Sequence, residues 1–348
     1  MKNYDLLIIG GGCAGLASAI AAQKSGVQSI ALAERGETLG GILNQCIHEG
    51  FGLELFDAEL TGPQFAERLI EDFSKTDVTV YTGTTVLELT ADTAVLSGKN
   101  GFFKISFRAV ILACGCRETP IGALPVTGTR PSGIFTAGQA QSMINLKKYD
   151  IGNNILILGS GDVGMIVARR LKLLGKNVIA VLEKSSKCGG LERNRVNCLV
   201  QHNIPLHTNC TVNKIYGTAR ITGADIKDLE TDNISHISCD TLITSVGLVP
   251  ERDLLDSFGD RVLPKNIFLC GNCRTVHDTA DAACLDGNEA GAAAAVFIAT
   301  GVRPTIKYRD TGTRSLAQDE TICLDCPRGC ILTVKNGKTY GGKCKKFK

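Results

Sequence analysis

The chain lacks a long apolar run and lacks an excess of charge of either sign. Its longest apolar stretch, Ala290 to Val302, holds two glycines and falls short of the ~20 residues that a membrane helix needs, so an integral membrane protein is not expected. Lys and Arg number 38 against 35 Asp and Glu, a net charge of +3, which gives the whole molecule no electrostatic case for binding nucleic acid. No signal peptide is expected either, because a buried-type strand, Leu6 to Ile9, starts almost at once behind Asp5. The expected location is cytoplasmic. The 15 cysteines are an odd number in a reducing compartment, which argues for free, catalytic or metal-bound thiols over a disulfide framework. Cys13, Cys188, Cys198, Cys210, Cys239 and Cys284 are read as small core hydrophobes.

What is present is ordinary in bulk and informative in pattern. A length of 348 residues, 44% hydrophobic and 21% charged, suits two soluble domains with a small appendage. One device occurs twice. YDLLIIGGGCAGLASAIAAQKSGVQSIALAERG (4–36) reads as strand, glycine turn, helix and strand, and NNILILGSGDVGMIVARRLKLLGKNVIAVLEKS (153–185) repeats it. Gly10, Gly12 and Gly15 form the first GxGxxG, and Glu34 follows 24 residues after Gly10; Gly159, Gly161 and Gly164 form the second, with Glu183 again 24 residues on. In such a motif the first glycine makes the tight turn and the second lets a diphosphate approach the backbone. The third lets helix and strand pack closely, and the acid binds a ribose hydroxyl. Two copies in one register, each with its acid, predict two dinucleotide sites on an α/β chain of two Rossmann-like domains. A carboxylate at Glu183 accepts from a free 2′-hydroxyl and repels a 2′-phosphate, which favours NAD over NADP, although Lys184 and Lys187 lie close by.

This layout resembles the two-dinucleotide-binding flavoprotein family of thioredoxin reductase and the pyridine nucleotide-disulfide oxidoreductases. The resemblance implies FAD at the first site and NAD(P)H at the second. AVILACGCRE (109–118) is similar to the segment returning to the FAD domain, with Gly115 at its turn, and DTLITSVGLVP (240–250), with Gly247, to its counterpart in the NAD domain. NIFLCGN (266–272) resembles the late FAD motif around Gly271, where Asn272 replaces the usual aspartate. Arg35 and Gly41 flank the first site by the same resemblance, and Val86 stands where backbone meets adenine. The implied order is an FAD-binding domain of residues 1–116 and 250–304, an inserted NAD(P)-binding domain of 117–249, a linker of 305–320 and a cysteine tail of 321–348. The helix after Gly287 would aim its N-terminus at the flavin, where its dipole stabilises negative charge.

The cysteine pairs of the disulfide reductases are missing. No CxxC lies between residues 117 and 249, and LGGILNQCIHEGFGLE (39–54) holds a single cysteine. Cys46 and His48 are the candidate catalytic residues nearest the flavin by analogy: a thiol beside an imidazole can be lowered in pKa, and a histidine can manage protons. They can equally line the pocket. Cys270 and Cys273 form a CxxC in the late FAD motif, away from the reactive ring edge. Residues 40–69, 115–141 and 277–287 are similar to a subgroup found beside anaerobic glycerol-3-phosphate dehydrogenases, often accompanied by a small protein with a CPxGC motif. That motif stands fused here, at the C-terminus.

The tail TICLDCPRGCILTVKNGKTYGGKCKKFK (321–348) places Cys323, Cys326, Cys330 and Cys344 in C-x2-C-x3-C-x13-C spacing. Four thiolates suit tetrahedral zinc or an iron–sulfur cluster. The spacing resembles the [4Fe–4S] segment of molybdopterin oxidoreductases, and a neighbouring flavin favours the cluster. From Arg328 onward the tail has no acid but carries Lys335, Lys338, Lys343, Lys345, Lys346 and Lys348, which would offset an anionic cluster, steer an acidic partner or simply be solvated. The function expected is an FAD-dependent NAD(H) oxidoreductase exchanging electrons through the tail with a dehydrogenase subunit of the glycerol-3-phosphate dehydrogenase type. An oligomer is compatible with the sequence. Two alternatives stand: a self-contained NADH-dependent reductase using Cys46 with a zinc tail, and a non-enzymatic flavin- and NAD-binding sensor or assembly module.

Overall fold

The strand Lys2–Ile9 (β1) ends in Leu6, Leu7 and Ile8, none of which touches solvent, and Ile9. A strand apolar on both faces belongs in the middle of a parallel sheet covered on both sides. In the computed structural model, which describes residues 1–259 and 262–304 and the backbone of 320–322, 331–335 and 338–340, β1 takes that place.

The main elements of the first segment are β1, α1 (Cys13–Lys24), β2 (Ile30–Ala33), α2 (Gly62–Ser74), β3 (Thr79–Tyr81), β4 (Thr85–Leu89), β5 (Thr93–Gly98) and β6 (Gly101–Leu112). An inserted run follows: β7 (Ile134–Thr136), α3 (Ala137–Asn145), β8 (Asn154–Leu158), α4 (Asp162–Leu173), β9 (Asn177–Leu182), β10 (Leu206–His207), β11 (Cys210–Gly217), β12 (Ile221–Asp228), β13 (Ile234–Ser238) and β14 (Thr241–Thr244). The last segment holds β15 (Ile267–Leu269) and α5 (Ala280–Thr300). The chain divides into two units, Met1–Cys116 with the chain from Pro250 on, and Arg117–Val249.

In the first unit the sheet runs β3-β2-β1-β6-β5-β4. The long strand β6 is parallel to β1 and β15 through its apolar second half, with Leu112 opposite both Ile9 and Leu269, and antiparallel to β5 through its first half. In the second unit a parallel sheet runs β7-β14-β8-β9-β10, beside an antiparallel β11-β12-β13 layer whose outer edge is Thr127–Gly128. Each unit has two apolar cores, one on each face of its parallel sheet.

α1 is buried almost all round because α5 lies along it. A Cβ on Gly287 would stand 2.2 Å from the Ala14 carbonyl oxygen, and one on Gly291 2.2 Å from that of Ser18. This corrects the expectation of a helix beginning after Gly287. α5 starts at Ala280, where the Thr279 hydroxyl accepts from the Ala282 N–H at 3.2 Å, and Gly287 is interior. It permits close helix packing and ends nothing.

Among the described residues no helix is long and apolar enough to cross a membrane. The backbone of Glu320–Ile322, Ile331–Lys335 and Lys338–Tyr340 forms an antiparallel sheet. The linker expected at 305–320 falls, apart from Glu320, outside the described residues, and so do all four tail cysteines.

Candidate functional site

Each glycine turn follows the central strand of its sheet. In the first, Gly10 has φ +111°, and a Cβ there would stand 2.4 Å from the Ala113 carbonyl oxygen; one on Gly15 would stand 1.9 Å from that of Gly10. Gly12 is the opposite case, since a Cβ on it would meet no atom within 4 Å. α1 begins immediately after it with no side-chain cap. Open space over a bare backbone at a helix N-terminus is what a diphosphate requires. Glu34 closes the turn from the next strand, its Oε2 accepting from Gly11 N–H and its Oε1 from Gly36 N–H, both at 2.6 Å.

The second turn repeats this. Gly159 has φ +102° and lies against the Ser245 carbonyl, where a Cβ would approach to 2.1 Å. A Cβ on Gly164 would stand 2.7 Å from the Gly159 oxygen, whereas one on Gly161 would meet nothing nearer than 3.9 Å. Glu183 Oε2 accepts from Ser160 N–H at 3.0 Å and from its hydroxyl at 2.6 Å, and Oε1 accepts from Ser185 N–H at 2.9 Å. Partial burial would raise this carboxyl, but the hydrogen bonds from Ser160 and Ser185 outweigh it and hold the pKa below the ordinary value. Glu183 is therefore ionised at neutral pH. Both turns fit a dinucleotide.

The other expected binding residues are placed as follows. Arg35 is exposed and Val86 is buried on β4. A Cβ on Gly41, at φ +57°, would stand 3.1 Å from Gly12 Cα, so Gly41 adjoins the first turn. Gly115 has φ +73°, and its carbonyl accepts from Glu251 N–H at 2.9 Å; Gly247 has φ +116°, and its carbonyl accepts from Thr119 N–H at 3.0 Å. Asn272 Oδ1 accepts from His277 N–H at 2.9 Å, and its Nδ2 lies 3.6 Å from Cys116 Sγ. Its amide oxygen thus shapes its own loop.

Cys46 departs from expectation. The loop after Gly40 folds as a short 3-10 turn, Gly41–Gln45, and the Cys46 thiol donates to the Ile42 carbonyl at 3.4 Å. Burial pushes the thiol up to about 12. The expected lowering is corrected, because desolvation dominates where the thiolate would form. His48 Nδ1 lies 2.9 Å from the Glu49 carbonyl oxygen, and its ring packs on Phe51 with centroids 5.1 Å apart. Cys270 and Cys273 are wholly buried, and burial drives Cys270 far above the ordinary thiol range. Among the described residues no group of His, Cys, Asp or Glu is arranged to hold a metal.

Two carboxylates escape the sequence reading. Asp281, in the first turn of α5, accepts from the N–H groups of Gly52, Glu54 and Leu55 at 3.1, 3.2 and 2.9 Å, fixing the loop that follows His48. Asp286 accepts from Gly271 N–H at 2.7 Å, from Arg274 Nε at 3.0 Å, and lies 3.1 Å from His277 Nε2. The helix carries three acids among its alanines, Asp281, Asp286 and Glu289, and nothing local marks the first two as the buried ones that need donors.

The profile of the family described as "Pyridine nucleotide-disulphide oxidoreductase" matches residues 4–287. An NADH dehydrogenase of Ferdinandcohnia aciditolerans is 26% identical over 288 residues, covering 78% of this chain and 52% of that protein. A component of the alkyl hydroperoxide reductase of Staphylococcus aureus is 24% identical over 262 residues, covering 73% and 48%. The chain thus spans about half the length of the curated relatives it matches. The fold is also that of thioredoxin reductase from T. acidophilum, with TM-score 0.68 and 19% identity over 86% of this chain and 99% of that one. The bacillithiol disulfide reductase of Bacillus cereus gives TM-score 0.67 and 18% identity over 86% and 100%.

Proposed function

The chain belongs to the pyridine nucleotide-disulphide oxidoreductase family, and we propose that it is an FAD-dependent NAD(H) oxidoreductase that exchanges electrons with a partner protein. The observation that carries this reading is the repeated turn: an unobstructed middle glycine, an uncapped helix N-terminus, and a carboxylate hydrogen-bonded to the turn, once in each unit. In this reading Gly10, Gly12, Gly15 and Glu34 hold FAD, with Gly41, Gly115, Gly271 and Asn272 shaping the rest of its site. Gly159, Gly161, Gly164 and Glu183 hold NAD(H), Glu183 accepting from the ribose hydroxyls and repelling a 2′-phosphate. FAD, when bound, supplies two-electron exchange with a nicotinamide and release of electrons singly. The chain's own residues bind and orient the two dinucleotides and set the charge around them.

Beyond that exchange, the reading assigns Cys323, Cys326, Cys330 and Cys344 to an iron–sulfur cluster, or to zinc if the tail is structural. It takes the partner to be a flavin-dependent dehydrogenase subunit of the glycerol-3-phosphate type. Four closely spaced thiols and the subgroup resemblance support this assignment. The absence of a reductase cysteine pair from residues 117–249, together with a Cys46 thiol pushed up to about 12, disfavours a self-contained reductase built on Cys46.

The test is anaerobic purification, FAD reconstitution and a visible spectrum before and after NADH, with iron, sulfide and zinc analysis. The reading expects NADH to bleach the flavin and about four iron per chain for a four-iron cluster. A flavin that NADH leaves unbleached would sink the oxidoreductase reading. One zinc with no iron would remove the electron path through the tail.

A further inference from the structure

The second glycine turn is flanked by a segment of its own chain. Gly189 N–H donates to the Ser160 hydroxyl at 2.7 Å, and Leu191 N–H donates to Asp162 Oδ1 at 2.9 Å. Asn194 Nδ2 donates to that same carboxylate oxygen at 2.7 Å. Beside them Cys188 Sγ lies 3.6 Å from the Ser160 carbonyl oxygen and 3.5 Å from Met165 Sδ. At Gly190 the approach leaves no room for a side chain, and at Gly189 one would be in ordinary contact. A Cβ on Gly190 would stand 2.5 Å from Met165 Cε, 2.6 Å from Asp162 Oδ1 and 2.9 Å from Asp162 N; one on Gly189 would stand 3.5 Å from Glu183 Oε2 and 3.7 Å from Gly161 N. Residues 188–191 therefore lie against the turn, its acid and the start of α4 together.

The sequence repeat extends to this segment. Gly189 and Gly190 follow Glu183 by six and seven residues, as Gly40 and Gly41 follow Glu34. At the first turn the contact is made by backbone, Gly40 N–H donating to the Gly11 carbonyl at 2.9 Å. At the second it is made by two polar side chains of the turn itself. Asp162 stands in the first turn of α4, where the helix dipole favours an anion, and its counterpart in the first turn is Cys13. Its carboxylate takes up the Leu191 and Asn194 donors, which are the kind that a diphosphate would use.

We propose that Cys188–Leu191 is a strap forming the second wall of the diphosphate subsite for the nicotinamide dinucleotide, and that Asp162 holds it shut until the ligand's diphosphate takes over the donors. This rests on the reading that Arg117–Val249 binds that dinucleotide. Affinity is then reduced by the fraction of molecules whose strap is closed.

The experiment uses the FAD-reconstituted full chain with ADP-ribose as the probe, Kd by calorimetry, and the rate of maleimide labelling of Cys188 by peptide-resolved mass spectrometry. Asp162→Ala is expected to lower the Kd about tenfold and to speed Cys188 labelling by about the same factor. Asn194→Ala keeps the carboxylate charge but removes the amide bond that steadies Asp162 beside Leu191, and is expected to move both readouts in the same direction by less. Tighter binding in Asp162→Ala with Cys188 labelling unchanged would mean that only charge repulsion was relieved, and the strap is overturned. Failure of the wild-type chain to bind ADP-ribose overturns the dinucleotide reading itself, separately from the labelling result on the strap.

Discussion

Gly10 shows how tightly its neighbours can commit one position. Its φ of +111° and the Ala113 carbonyl, which a Cβ would approach to 2.4 Å, combine two penalties, one for left-handed backbone and one for overpacking. Gly10→Ala is expected to cost roughly 3 kcal/mol, read as a shift in denaturant midpoint; an unshifted midpoint would mean that the turn relaxes freely. In the proposed reading Glu183 works by charge. Glu183→Gln keeps the shape but loses the ionised acceptor, and should weaken NADH about tenfold, the scale of one hydrogen bond to a charged group, while narrowing its preference over NADPH. Equal loss for both nucleotides would rule out the 2′-phosphate argument. Cys46, with its thiol pushed up to about 12, should carry roughly a thousandfold less thiolate at pH 8 than an ordinary cysteine. Peptide-resolved alkylation tests this, and rapid labelling of Cys46 would restore it as a nucleophile. The unfolded thiol ionises near pH 9 and the folded one near 12, so stability falls as pH rises between those values. The fall should be shallower in Cys46→Ala.

Among the secondary-structure elements, the pairing of α1 with α5 holds the first unit together across its two chain segments. Gly287 and Gly291 lie one helical turn apart on α5, and each meets an α1 carbonyl. Gly291→Val forces the helices apart and is expected to cost roughly 1–3 kcal/mol, with loss of FAD retention during gel filtration, because the first glycine turn leads directly into α1. Full FAD retention with an unchanged melting temperature would show that the helix pair is not what fixes the turn. This pairing is poorly legible from sequence. A glycine inside an alanine-rich stretch signals a helix end as readily as a close contact, and only the partner helix decides between them. Asp281 and Asp286 are illegible for the same reason, since their donors come from loops elsewhere in the chain.

For the molecule taken entire, the second unit is an insertion with its own two cores, built from residues between Arg117 and Val249. Residues 117–249 expressed alone are therefore expected to melt in one cooperative transition; a gradual loss of circular dichroism on heating would mean that the unit depends on the rest of the chain. The first unit, assembled from segments on either side of the insertion, should not fold from Met1–Cys116 alone, since β15 and α5 would be missing from its sheet and its core.

The two strand–turn–helix repeats, their acids and the α/β class are all written in the order of the residues, because each rests on local constraints: a turn whose first glycine takes a positive φ, and an apolar run with strand or helix periodicity. What surrounds those repeats came from folding in three dimensions. Packing set the start of α5 at Ala280, the burial that pushes Cys46 up to about 12, the carboxylates that anchor the loops, and the lie of Cys188–Leu191 against the second turn. Desolvation and close packing arise from residues distant in the chain, and no local pattern encodes which of them will meet.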